Sequence, residues 1–187
     1  MSPPSRDALQ RVVVIGTSCS GKTTFARRLG QATGVPAISL DVLFWRPGWT
    51  PSPEDEFAAA IERATAGDRW IIDGNYTRHQ NLIWPRATAI LWLNYPFIVV
   101  AGRALGRTLG RIRSGEELFA GCRETFRQTF FSRESILLWV LRTYARNRRT
   151  IPPRLRRAMD AGTAVWEFRR PEDAEGFLAS LEPANEP

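Results

Sequence analysis

The run Arg11-Val-Val-Val-Ile-Gly16 passes directly into Thr17-Ser18-Cys19-Ser20-Gly21-Lys22-Thr23. This junction constrains the chain more than any other stretch. An apolar, β-branched strand is followed at once by G-x-x-x-x-G-K-[ST], matched in full from Gly16 to Thr23. Gly16 and Gly21 let the backbone bend so that successive N–H groups face one concavity. A helix starting near Lys22 adds its positive end. Such a cradle suits the phosphates of a nucleotide. Lys22 can reach the β- and γ-phosphates, the Thr23 hydroxyl is placed to ligate Mg²⁺, and Thr17, Ser18, Cys19, Ser20 and Thr24 complete the phosphate-binding set. Cys19 reads as a small residue that fits the loop. Lys22 is the single lysine in a chain with 26 basic residues, so something specific holds Lys there where the composition otherwise prefers Arg.

The rest of the chain alternates strand and helix. Strands are expected at 37–40, 69–73, 89–93 and 165–168. Helices are expected at 22–33 with Gly34 as its stop, from Ser52-Pro53 to Gly67, at 96–112, at 121–148, and from Pro171 onward. Residues 1–10 and 182–187 read as tails. Five short apolar strands separated by helices predict a single α/β domain over 1–187, an open and mostly parallel sheet with helices on both faces. Ligands of such sheets sit beyond the carboxyl ends of the strands.

Composition narrows the class. With 187 residues, 43 % of them hydrophobic, the chain can bury a core. No apolar run approaches the roughly 20 residues that span a bilayer. The start, MSPPSRDALQ, lacks a signal-peptide core. Cys19 and Cys122 form no disulfide or zinc pattern. A cytoplasmic protein without a membrane partner, monomeric or homodimeric, is expected. The net charge is +7, and fourteen arginines face four acids between Arg103 and Arg157. That surplus implies polyphosphate ligands or a nucleic acid, unless it only keeps the surface soluble.

The other strand ends offer chemistry. Asp73 closes strand three, where a second carboxylate can hold Mg²⁺; a helix N-cap is the alternative. Gly74 follows it, not the Glu of a motor ATPase, and neither D-x-x-G nor N-K-x-D occurs. Asp41 closes strand two and can orient or deprotonate an attacking hydroxyl, or cap a short helix. Arg103, Arg107 and Arg111, spaced by four, share a helix face and can neutralise a phosphoryl in transfer, or form a solvated basic face. Gly-rich GRIRSGEE lets the region at about 103–125 close as a lid. Phe44, Trp45 and Trp49 form an acceptor wall or cover the sheet edge. His79 reads as an exposed loop residue or a substrate contact. Cys122 reads as core, with Arg123 and Glu124 reaching the lid or the acceptor.

The motifs GTSCSGKT, LDVLFWRPGW, WIIDGNY, LWLNYP and GCRETF together resemble the bacterial DNA-topology-modulation proteins. These are P-loop proteins similar to adenylate kinase and to nucleoside-monophosphate and shikimate kinases. The resemblance spans about 11–181. It implies a three-layer P-loop fold with a parallel sheet of order 2-3-1-4-5, a helical lid, and ATP with Mg²⁺. Asp73-Gly74 matches the opening of the adenylate-kinase D-G-F-P-R motif; Asn75 and Tyr76 replace Phe-Pro, and Arg78 stands one place late. Arg103 and Arg107 follow Pro96 at the spacing of that family's lid arginines. FWRPGW replaces the segment that recognises AMP. Arg169 lies in the loop where related kinases pack adenine.

Two functions follow as expectations. One is an ATP- and Mg²⁺-dependent phosphotransferase acting on a small-molecule or nucleotide acceptor, with Lys22, Asp41, Asp73, Arg78, Arg103, Arg107 and Arg111 as its catalytic set. The other is an ATP-modulated DNA-binding protein whose helices at 123–157 lie on phosphates.

Overall fold

The computed structural model describes the backbone over residues 6–114 and 136–181, and side chains over 8–107 and 142–181. Five parallel strands form the sheet: β1 Arg11–Gly16, β2 Ala37–Ser39, β3 Trp70–Asp73, β4 Ala89–Leu93 and β5 Ala164–Phe168. They lie in the order β2-β3-β1-β4-β5. Two strands the sequence reading lacked, Trp45–Arg46 and Thr50–Pro51, pair only with each other as an antiparallel hairpin. Counted over all seven strands, the sheet order becomes 2-5-1-6-7.

The central strands are buried on both faces, which is why they read as unbroken apolar runs. Alternation still divides them. Val12, Val14, Ile71, Leu91 and Leu93 pack beneath α1 (Lys22–Thr33), α5 (Phe97–Ser114) and α7 (Pro171–Ala179). Val13, Ile15, Ile72, Ile90 and Trp92 pack beneath α2 (Leu40–Phe44), α3 (Glu54–Ala64) and α6 (Ile136–Asp160). The short α4 spans Gln80–Ile83. Among the described residues no helix is long and apolar enough to cross a membrane.

Local rules explain most boundaries. Gly34, at φ 69°, ends α1 and its N–H donates to the Gly30 carbonyl. Glu54, Asp55 and Glu56 fill the first turn of α3, where the helix dipole favours acids. Two boundaries and one burial depart from expectation. The helix expected at 121–148 is described from Ile136 and runs to Asp160 across Pro152 and Pro153. Those prolines remove the donors that would reach the carbonyls of Arg148 and Arg149. Both residues are exposed, so water replaces the lost bonds, while Ile151 and Leu155 hold this turn in the core. The expected first tail contains a 3-10 turn at Arg6–Leu9 that buries Leu9. His79 is buried rather than exposed, edge-on to Phe57 with ring centroids 4.9 Å apart.

Of the expected lid, residues 103–114 extend α5 and 115–125 lie outside the described residues, as do Cys122, Arg123 and Glu124.

Candidate active site

The loop between β1 and α1 has the geometry its glycines demand. Gly21 sits at φ 91° as the residue before α1, and Cys19 takes φ 66°, a left-handed conformation uncommon outside glycine. The Ser20 N–H donates to the Thr17 carbonyl at 3.1 Å, and Lys22 Nζ donates to the same oxygen at 3.2 Å. The lysine is thereby folded over its own loop. Thr17 and Ser20 are buried, Ser18 and Cys19 are half-buried, and Thr23 and Thr24 open the first turn of α1 at the surface. Gly16 is indispensable sterically, since a Cβ there would lie 2.6 Å from Ser20 Oγ and 2.8 Å from the Leu93 carbonyl.

Asp73, at the end of β3, is 3 % exposed. Thr23 Oγ1 donates to its Oδ2 at 2.5 Å, while Oδ1 has no hydrogen-bond partner. Burial raises the carboxyl above its ordinary range, opposed by the Lys22 cation and by the Thr23 hydroxyl. A carboxylate with one buried, unpartnered oxygen beside a threonine hydroxyl is a donor set that fits hydrated Mg²⁺, whose remaining positions water and phosphate oxygens fill. Thr23 and Asp73 are therefore brought together, and Asp73 is not the helix cap that was its alternative.

Asp41 does not close β2, which ends at Ser39. It lies on the first turn of α2, and the Tyr76 hydroxyl donates to its Oδ1 at 2.6 Å. Burial and the neighbouring Asp41 charge push the Tyr76 phenol above its ordinary range, so it is a fixed donor at neutral pH. A cavity of about 820 Å³ runs between the two halves. Its wall includes Lys22 of the phosphate loop, Asp41, Phe44, Trp45 and Tyr76. Arg142, Thr143, Arg146 and Asn147 complete that wall from α6.

Those four residues of α6 were not singled out as a site. Their spacing of four, with Thr143 and Asn147 buried and Arg142 and Arg146 exposed, is the signal that marks one helix face. Asn75 is the other omission. Its side chain receives the Gly16 N–H at 3.0 Å on Oδ1 and donates from Nδ2 to the Gly16 carbonyl at 2.5 Å. Phe44 and Trp45 belong to the cavity wall; Trp49 packs edge-on to Trp45 and is 40 % exposed.

The arginines separate. Arg103 donates to the Ser20 carbonyl at 2.7 Å and lies over the Tyr95 ring, 5.1 Å from its centre. It therefore braces the phosphate loop. Arg107 is exposed one turn along α5, and the side chain of Arg111 lies outside the described residues. Arg78 is exposed and does not line the cavity. Arg169 is held in an exposed pair with Glu167 at 3.0 Å, and Asn94 donates to the same carboxylate.

No protein-family model matches the chain, and no characterised protein matches it in sequence. Solved structures do match in fold. A gluconokinase from Sinorhizobium meliloti is 20 % identical, with a TM-score of 0.52 over 92 % of this chain and 91 % of that one. A shikimate kinase from Bacteroides thetaiotaomicron is 12 % identical, with a TM-score of 0.53 over 92 % and 96 %. A sugar kinase from a Janibacter species is 18 % identical, with a TM-score of 0.50 over 92 % and 94 %. At these identities the likeness establishes the fold: a five-stranded parallel α/β sheet flanked by helices, shared with P-loop kinases over nearly the whole chain.

Proposed function

We propose that the protein is an ATP-dependent kinase that moves the γ-phosphoryl group to a hydroxyl of a small anionic acceptor. The observation that carries this reading is one cavity bounded by Lys22 on one side and by Asp41, with its Tyr76 donor, on the other. A nucleotide's terminal phosphate on the loop and a hydroxyl on Asp41 would meet across that space. Asp41 accepts the hydroxyl proton as the acceptor oxygen bonds to phosphorus and the bond to ADP breaks. Lys22 and the loop N–H groups neutralise the phosphate charge as preorganised donors. Thr23 and Asp73 would hold Mg²⁺, which supplies charge neutralisation across the β- and γ-phosphates. Arg103 steadies the loop, while Arg107, Arg111 and Arg78 remain the arginines to test for closure over the phosphates.

Arg142 and Arg146 support an anionic acceptor. They add two guanidinium forks to a wall whose one carboxylate among the described residues is Asp41, and such forks match carboxylate or phosphate groups. The similar structures called gluconokinase and shikimate kinase fit this reading. Membership of the DNA-topology-modulation family rests on the LDVLFWRPGW and WIIDGNY motifs. Of the arginines that the DNA alternative would lay on phosphates, Arg142 and Arg146 face the cavity and Arg154 donates to Gln80 at 2.7 Å, while Arg148, Arg149, Arg156 and Arg157 are exposed.

The test is ADP release from Mg·ATP across a panel of sugar acids, hydroxy acids, nucleosides and nucleoside monophosphates, with and without duplex DNA. One small acceptor should stimulate release, and Lys22→Ala should abolish it while circular dichroism stays native. Full activity of Lys22→Ala would sink the mechanism. Stimulation by DNA alone would move the protein to the nucleic-acid reading.

A further inference from the structure

Four consecutive residues at the end of β3 leave in three directions. Asp73 meets Thr23, the first-turn hydroxyl of α1. Tyr76 meets Asp41 on α2. Between them, Asn75 turns back and pairs with both backbone groups of Gly16, the first residue of the phosphate loop and 59 positions away in sequence. Gly74 makes the divergence possible. It takes φ 148°, and a Cβ there would lie 3.0 Å from Leu40 Cβ, so the chain can turn only where there is no side chain.

The Asn75 bond pair replaces a missing ladder. The Gly16 N–H and carbonyl lie at the point where β1 leaves the sheet toward the loop, and β3 stops at Asp73, in register with Val14. Without Asn75, which itself lines the cavity, both buried backbone groups on that side would lose their partner. A primary amide is neutral and carries its donor and acceptor side by side in one plane, as a strand's peptide groups do. It holds Gly16 at the mouth of the nest without adding negative charge beside the phosphates.

We infer that Asn75 is a positioning residue of the nucleotide site, holding the phosphate loop in its ligand-ready shape, and that its neighbour Tyr76 serves only the acceptor side. The inference rests on the nucleotide reading above. One turn therefore keeps the donor and acceptor halves in register, with adjacent side chains assigned to opposite halves.

Calorimetric titration with Mg·ADP, and separately with Mg·tripolyphosphate, tests the division without knowledge of the acceptor. Asn75→Ala should weaken both ligands by roughly tenfold or more, since two backbone bonds at the loop are lost, with the binding stoichiometry still one. Asn75→Asp keeps the acceptor for the Gly16 N–H but sets a carboxylate against the Gly16 carbonyl, and should bind at least as poorly. Tyr76→Phe should stay within about twofold of the parent, because the contact it loses is on Asp41. A fall in stoichiometry at unchanged affinity would mean that Asn75 only supports folding, and would overturn the inference. So would an unchanged affinity in Asn75→Ala, or a loss in Tyr76→Phe as large as in Asn75→Ala. Lys22→Ala separates the two levels of argument. If it weakens Mg·ADP while Asn75→Ala does not, the positioning role fails alone; if Lys22→Ala binds as the parent does, the nucleotide reading fails.

Discussion

Replacing Gly16 by Ala adds one methyl group at the point where strand becomes phosphate loop. The backbone there is not left-handed, so no conformational penalty arises and the whole effect is steric. The new Cβ would stand 2.6 Å from Ser20 Oγ, 2.8 Å from the Leu93 carbonyl oxygen and 3.2 Å from Leu93 Cβ. The serine hydroxyl can rotate, although Ser20 is only 1 % exposed. The carbonyl cannot: it belongs to β4, which pairs with β1 at this register. Relief requires a shift of several tenths of an ångström in a sheet strand or in the loop. Overpacking of this kind costs about 1–3 kcal/mol, and the backbone partner places it in the upper half of that range. For a chain of this size, about 2–3 kcal/mol lowers Tm by roughly 4–12 °C. Because Asn75 holds both polar groups of Gly16, the shift also disturbs the phosphate cradle, and Mg·ADP should bind roughly tenfold more weakly. Gly34→Ala is the control. Its site is left-handed at φ 69° with nothing within 4 Å of the added Cβ, so it should cost about 1–2 kcal/mol without touching nucleotide affinity. Thermal unfolding and calorimetry on both variants decide the matter. Gly16→Ala with a parental Tm and parental affinity would refute the reasoning.

Arg142→Ala and Arg146→Ala should each raise KM for the acceptor by about 10- to 100-fold, the worth of about 1.5–3 kcal/mol for a charged hydrogen bond, with KM for ATP unchanged; a rise in the ATP value instead would assign them to the nucleotide. Asp73 is held above its ordinary value by burial, so the folded state binds its proton more tightly than the unfolded chain. Its contribution to stability is present below the unfolded value of 3.8 and is lost as pH rises through the higher native value. Asp73→Asn should therefore flatten this part of the stability–pH curve and stabilise the ligand-free protein at neutral pH, while abolishing transfer; denaturant midpoints from pH 4 to 7 measure it, and a lower midpoint at pH 7 would contradict the sign. Phe57 is 1 % exposed and packs on Phe44, Tyr76 and His79, so Phe57→Ala should cost about 3–5 kcal/mol and loosen the acceptor wall, read as a fall in Tm together with a higher acceptor KM.

The strand, the phosphate loop and the start of α1 were legible because their geometry is made within one continuous stretch, Arg11 to Thr23. Two glycines, a lysine and a helix start act on the backbone that carries them. The five sheet strands were legible for a related reason, since burial on both faces writes continuous apolar runs into the sequence. Their order came from the family resemblance. Asp73 was found because the ends of such strands face the crevice; Asp41 reaches the cavity from the first turn of α2 instead, two residues past the end of β2. What stood opposite them was not written locally. Arg142 and Arg146 look like any solvated basic face; Ile151 and Leu155, packed on the sheet on either side of Pro152 and Pro153, bring that face to the cavity. Asn75 looked like a departure from a familiar motif, because its partner lies 59 positions back. His79 looked exposed for want of any local sign that Phe57 would cover it. Consecutive residues determine what the backbone can do, and only the packing of the helices on the sheet decides which distant side chains share a site.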